Sequence, residues 1–185
     1  MGVAHTVGKE SLPKDLINLS NFSPGFIAKL KDNLETSSYQ FNLDKEGLSE
    51  LFKCSDKEAN LVMDYFDQNG DGRIDSYEFL CAITLLSNST LDEKAEILFD
   101  FYDFDKSKYI TRDELVILIT NTLTSLNAMA KRDPPKIKEI ESETDDFFSK
   151  SDLNNDNKIT LKEFKAYLKK DPTILNILMN FNIAK

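Results

Sequence analysis

Asp67-Gln68-Asn69-Gly70-Asp71-Gly72-Arg73-Ile74-Asp75-Ser76-Tyr77-Glu78 carries oxygen-bearing side chains at its first, third, fifth, ninth and twelfth places. A hard divalent cation such as calcium takes six to eight oxygen ligands, and this spacing lets one short loop supply them. Asp67, Asn69 and Asp71 each offer a side-chain oxygen, and Arg73 offers its backbone carbonyl. Asp75 serves directly or through a water. Glu78 closes the shell with both carboxylate oxygens. Gly72, at the sixth place, permits the positive φ of a sharp turn that strains a residue with a Cβ. Every place of the one-loop calcium pattern is filled, which is far more specific than an acidic solvated turn.

The same unit recurs. Apolar residues at helical spacing flank the loop on both sides: Val62, Met63 and Phe66 before it, Phe79, Ala82, Ile83 and Leu86 after it. Leu98, Phe99 and Tyr102 precede a second such loop at 103–114, with Leu115, Leu118 and Ile119 behind it. Phe147 and Phe148 precede another at 152–163, followed by Phe164, Tyr167 and Leu168. The loops begin at Asp67, Asp103 and Asp152, 36 and then 49 residues apart, and the extra length holds Pro134-Pro135, where a helix should break. An earlier unit opens at Ser23-Pro24 with Phe26, Ile27, Leu30 and Leu34, and resumes at Leu48, Leu51 and Phe52. Its loop, about 36–47, has Asp44 as its one plausible ligand, and Gly47 or Lys45 stands where the closing glutamate belongs. It reads as a degenerate unit kept for packing. Ile74, Ile110 and Ile159 share the eighth place, with Leu43 as the equivalent in the first loop, so loops should pair through short β-bridges, first with second and third with fourth.

The predicted fold is therefore all-α: four helix-loop-helix units in two paired lobes, with short β-bridges between paired loops and an extra C-terminal helix. A tail covers 1–22, one lobe 23–88 and the other 89–171, with a Pro-containing linker at about 124–142. Residues 172–185 form the last helix, apolar on most faces through Ile174, Leu175, Ile177, Leu178, Met179, Phe181 and Ile183. Such a helix packs into the protein's own groove or against a partner.

The loops differ in ligand quality. In residues 67–78 four carboxylates face one opposing charge, Arg73. The loop at 152–163 offers Asp152, Asn154, Asp156, the Lys158 carbonyl, Thr160 and Glu163. Its sixth place is Asn157, which tolerates the left-handed region, while Lys158 and Lys162 weaken its field. The loop at 103–114 offers Asp103, Asp105, Ser107, the Tyr109 carbonyl, Thr111 and Glu114. There Lys108 must adopt an unfavourable φ costing about 1 kcal/mol, and Lys106 and Arg112 oppose the cation. That loop either binds calcium or holds its shape empty.

Composition narrows the partners. A net charge of −9 over 185 residues argues against nucleic acid, which wants a basic face. The 41% apolar content with 13 Phe is enough for real cores. Cys54 and Cys81 lack C-x-x-C spacing and read as core residues of a reducing compartment. No apolar run is long enough to span a membrane and no secretory segment is present, so the expected place is cytoplasmic, with cilium or axoneme and the membrane periphery as alternatives. Met1-Gly2-Val3-Ala4-His5-Thr6 fits the short signal for N-myristoylation of Gly2, the alternative being an unmodified tail. An acylated Gly2 gives only marginal membrane contact by itself.

Residues 58–171, roughly 60% of the chain, resemble four-EF-hand calcium sensors of the neuronal calcium sensor and calcineurin B-like group. The resemblance is carried by Thr90-Leu91-Asp92-Glu93-Lys94-Ala95-Glu96-Ile97-Leu98-Phe99-Asp100-Phe101-Tyr102-Asp103, by Ile110-Thr111-Arg112-Asp113-Glu114-Leu115 and by the long third-to-fourth spacing. The chain is also similar to calaxin-like EF-hand proteins of ciliary axonemes. It departs in lacking the Cys-Pro pair of the first hand and in Lys108. The resemblance implies a sensor or regulatory subunit that binds a target protein helix through an apolar groove when calcium opens a helix pair. Phe79, Ile83, Leu86, Leu115, Leu118 and Ile119 are candidates for that groove or for ordinary core. The alternative is a constitutive structural subunit or light chain of a larger assembly. No nucleophile-base pair or phosphate-binding loop suggests an enzyme.

Overall fold

The computed structural model describes residues 22–171. Gly2 and the apolar segment 172–185 lie outside the described residues. The architecture is all-α, as expected. Helix α1 (Pro24–Thr36) starts on Ser23, whose hydroxyl accepts from the Phe26 N–H, and β1 (Asn42–Leu43) leads into α2 (Lys45–Phe52). Helix α3 (Asp56–Phe66) opens on a Ser55–Glu58 capping box. Strand β2 (Ile74–Asp75) and α4 (Ser76–Leu86) complete the second unit. Helix α5 (Leu91–Tyr102), β3 (Tyr109–Ile110) and α6 (Arg112–Met129) make the third. Helix α7 (Ile137–Ser151), β4 (Ile159–Thr160) and α8 (Leu161–Lys170) make the fourth.

The loops pair antiparallel at the expected residues, Leu43 with Ile74 and Ile110 with Ile159. All four are buried, because each closes the bottom of a lobe while its neighbours on the loop face solvent. The Leu43–Ile74 register fixes Gly47, not Lys45, at the twelfth place of the first loop. A Cβ on Gly47 would lie 2.7 Å from Cδ1 of Tyr39, so that ring fills the space a side chain would need. Asp44 still caps its helix by accepting the Gly47 N–H at 2.8 Å.

The break expected across about 124–142 is confined to 130–136. Helix α6 runs on to Met129 because Leu126, Ala128 and Met129 are buried and Ser125 Oγ donates to the Asn121 carbonyl. It stops where Lys131 turns left-handed at φ 50° and Pro134-Pro135 follows. The lobes also meet more intimately than two separate cores. One contiguous buried cluster runs from Ile27 to Leu168. Helix α4 packs on α5 and α6, and α1 on α5. Phe52 and Phe66 pack edge to face with Phe79 on one side of it, and on the other Phe99 packs edge to face with Phe164, against which Phe147 lies tilted. Lys94, buried at the junction, donates to the Leu85 carbonyl at 2.6 Å and ties α5 to the end of α4. Cys81 is buried and Cys54 half-buried, both as thiols.

Candidate metal centres

The three acidic loops fold by one local rule. In each, the first-place aspartate accepts two backbone N–H groups and pins the turn. Asp67 takes those of Asp71 (3.1 Å) and Gly72 (2.9 Å), Asp103 those of Ser107 (2.9 Å) and Lys108 (3.0 Å), Asp152 those of Asp156 (3.2 Å) and Asn157 (2.9 Å). The third place repeats the pattern, Asn69, Asp105 and Asn154 each accepting the fifth-place N–H. Asp71 and Asp156 then accept from the N–H of Arg73 and Lys158. In the third loop Ser107 Oγ donates to the Tyr109 carbonyl at 3.3 Å.

The sixth place is left-handed in all three, at φ 78° for Gly72, 69° for Lys108 and 63° for Asn157. Lys108 therefore holds the strained conformation its position demands. The fourth place is left-handed as well, at Gly70, Lys106 and Asn155, which the ligand spacing gives no reason to expect. Gly and Asn there were a readable signal; Lys106 was not.

The closing glutamates differ. Thr111 and Thr160 each donate to their glutamate and accept its N–H, forming capping boxes with Glu114 and Glu163. Glu114 Oε1 also accepts the Phe104 N–H at 3.0 Å, which folds the carboxylate back over its own loop. Oxygens of Asp103, Asp105 and Glu114 consequently lie within 4.8 Å of one another. The loop with most opposing charge in its sequence is thus one whose carboxylates already converge. In the second loop Asp75 stands where the threonines stand and has no proton to give. It accepts the Glu78 N–H at 2.8 Å, and the Glu78 side chain is left to burial. That burial, with Asp75 beside it, pushes the Glu78 carboxyl up to about 7.

Every donor in these loops is a carboxylate, amide, hydroxyl or carbonyl oxygen, with no thiolate or imidazole. Such a set fits a hard cation and not a soft one. The first loop, with Tyr39 in the glutamate's space, offers no such set.

Two EF-hand domain pair family models match the chain, one at residues 92–169 and one at 40–82. This chain belongs to the EF-hand family. It is 33% identical over 122 residues to a calcium and calcium/calmodulin-dependent serine/threonine-protein kinase of Lotus japonicus, a match covering 66% of this chain and 22% of the kinase. It is 30% identical over 132 residues to guanylyl cyclase-activating protein 3 of Homo sapiens, covering 71% of this chain and 60% of that protein. A recoverin family protein of Dictyostelium discoideum is 28% identical over 147 residues, covering 70% and 65%. The chain is thus an EF-hand protein, and calcium is its cation. No helix among the described residues is long and apolar enough to cross a membrane.

The six groove candidates divide. Phe79, Ile83, Leu86 and Leu115 are sealed in the shared core. Leu118 and Ile119, with Leu98, Leu123, Phe147 and Phe164, line a small apolar cavity of about 80 Å³ in the C-terminal lobe.

Proposed function

We propose that this EF-hand protein is a calcium sensor or regulatory subunit whose second, third and fourth loops take the ion. In the second loop the ligands are Asp67, Asn69, Asp71, the Arg73 carbonyl, Asp75 and Glu78. In the third they are Asp103, Asp105, Ser107, the Tyr109 carbonyl and Glu114, and in the fourth Asp152, Asn154, Asp156, the Lys158 carbonyl and Glu163. The observation that carries this reading is the common turn in which the first-place aspartate is pinned by two backbone N–H groups. That turn is built three times, each with its closing glutamate, and the first loop, with Thr36 and Gly47 at those places, has neither.

The regulatory half of the reading rests on the C-terminal lobe. Leu118, Ile119, Phe147 and Phe164 surround a cavity too small for a partner helix as it stands. Closing Glu114 and Glu163 on an ion moves the starts of α6 and α8, and widening that cavity exposes apolar surface for a target helix. The sealed Phe79, Ile83, Leu86 and Leu115 favour the second reading, a stiff structural subunit with calcium incidental. An environment-sensitive hydrophobic dye separates the two. A sensor raises the dye's emission on adding calcium, and this rise disappears in Glu114→Gln/Glu163→Gln; a subunit of the second kind gives a flat response.

A further inference from the structure

Phe41, Phe104 and Ile117 are 63%, 45% and 42% exposed, three of the five large apolar side chains that face solvent among the described residues. They come from three elements distant in sequence, yet all three line one open cavity of about 600 Å³ between the lobes. Its floor is Phe101, which is buried, and its side wall Tyr77. Phe104 is held in place edge-on, 5.6 Å from the Tyr77 ring and 5.9 Å from that of Tyr102. A rigid aromatic lip of this kind loses little entropy on binding.

Phe41 shows how the surface arose. It occupies the sixth place of the first loop, where the other three loops turn left-handed at Gly72, Lys108 and Asn157; Phe41 does not. A loop released from ligand duty turns a ring toward the groove instead of coiling around an ion.

The charge lining the groove identifies its occupant. Glu35, Asp75, Asp100 and Asp103 face it against Lys31 and Lys106. Lys31 is already engaged, its Nζ 2.6 Å from both the carboxylate and the carbonyl of Asp100 and 3.7 Å from Glu35. While Asp75 and Asp103 hold no ion, carboxylates outnumber cations here four to two, and an apolar slot with that rim repels an anionic lipid surface and a second copy of this chain, whose own net charge is −9. We propose that this interlobe groove docks a cationic segment of a partner protein, one aromatic or branched apolar side chain entering between Phe41, Phe104 and Ile117 with Lys or Arg beside it. The volume suits one such side chain and its neighbours. The surface is separate from the C-terminal-lobe cavity described above, and Phe41, Ile117 and Glu35 belong to none of the three calcium loops.

The test uses the full chain and a fluorescein-labelled Lys-Lys-Phe-Leu-Lys-Lys peptide, read by anisotropy in EDTA and again in calcium. In EDTA the peptide binds, more tightly than in calcium, and Phe41→Ala/Ile117→Ala weakens it by about tenfold, as loss of a central apolar anchor does. Glu35→Lys, which leaves the apolar slot intact, also weakens it. Calorimetric calcium titration of both variants stays as in the parent, so failure here is distinct from failure of the loop assignments. Peptide binding that is absent in EDTA, or indifferent to both variants, overturns the proposal. So does finding that the double variant loses co-sedimentation with phosphatidylserine vesicles, or loses a dimer, while keeping the peptide.

Discussion

Glu78 and Glu114 hold the same place in their loops and live in different surroundings, because the ninth-place residue is Asp75 in one and Thr111 in the other. The Thr111 hydroxyl and the Phe104 N–H both donate to the Glu114 side chain and hold it inward. Glu78 has burial and a like charge beside it, and its carboxyl sits near 7 instead of the ordinary 4.5. Calcium requires the carboxylate, so filling the second loop at neutral pH releases a proton. Its affinity should fall as pH drops below about 7 and level off above that, and titrations in buffers of different ionisation enthalpy will count the proton. Without calcium the sign for stability is the reverse. A raised pKa means that the contribution of Glu78 is present below about 4.5 and lost as pH rises to about 7. Lys108 gives a second prediction at this scale. Lys108→Gly relieves the left-handed strain, so the third loop should bind calcium more tightly, by a gain of about 1 kcal/mol read from its isotherm. Gly47→Ala goes the other way. Its methyl meets the Tyr39 ring, and urea denaturation should show a loss of about 1–3 kcal/mol, as overpacking causes.

At the scale of elements, the second loop is hydrogen-bonded across the lobes to the two helices that flank the third. Ser125 Oγ, on α6, donates to the carbonyl of Glu78 at 2.8 Å. Tyr102, one residue before Asp103, donates to the Tyr77 carbonyl at 3.4 Å and accepts from Asn121 Nδ2 at 3.1 Å. Movement at the start of α4 therefore pulls on α5 and α6. Glu114→Gln should weaken calcium binding at the second loop, and that effect should vanish in a Ser125→Ala background, a coupling on the order of 1 kcal/mol measurable by a double-mutant cycle. Sequence legibility divides along the same line. The loops and the Leu43–Ile74 and Ile110–Ile159 pairings were readable because a twelve-residue spacing sets each loop and repeats its apolar eighth place. The run of α6 to Met129, Tyr39 against Gly47, and the Ser125–Glu78 contact were not. Each depends on a neighbour far along the chain or on burial that no local spacing announces. The left-handed fourth place lay between: Gly70 and Asn155 permit it, and Lys106 conceals it.

Across the whole molecule, one buried cluster joins both lobes, so the four hands respond as a connected body and not as two beads on a linker. Much of the surplus negative charge sits in the three acidic loops and around the interlobe groove, and a second apolar cavity sits in the C-terminal lobe. The central claim beneath all of this is that the three pinned loops bind calcium through Glu78, Glu114 and Glu163. Isothermal titration of the full chain with calcium, beside the Glu78→Gln/Glu114→Gln/Glu163→Gln variant, tests it most directly. The account predicts saturable binding of three ions in the parent and none of those sites in the triple variant. An unchanged isotherm in the triple variant, or a parent that takes up no calcium, would contradict it.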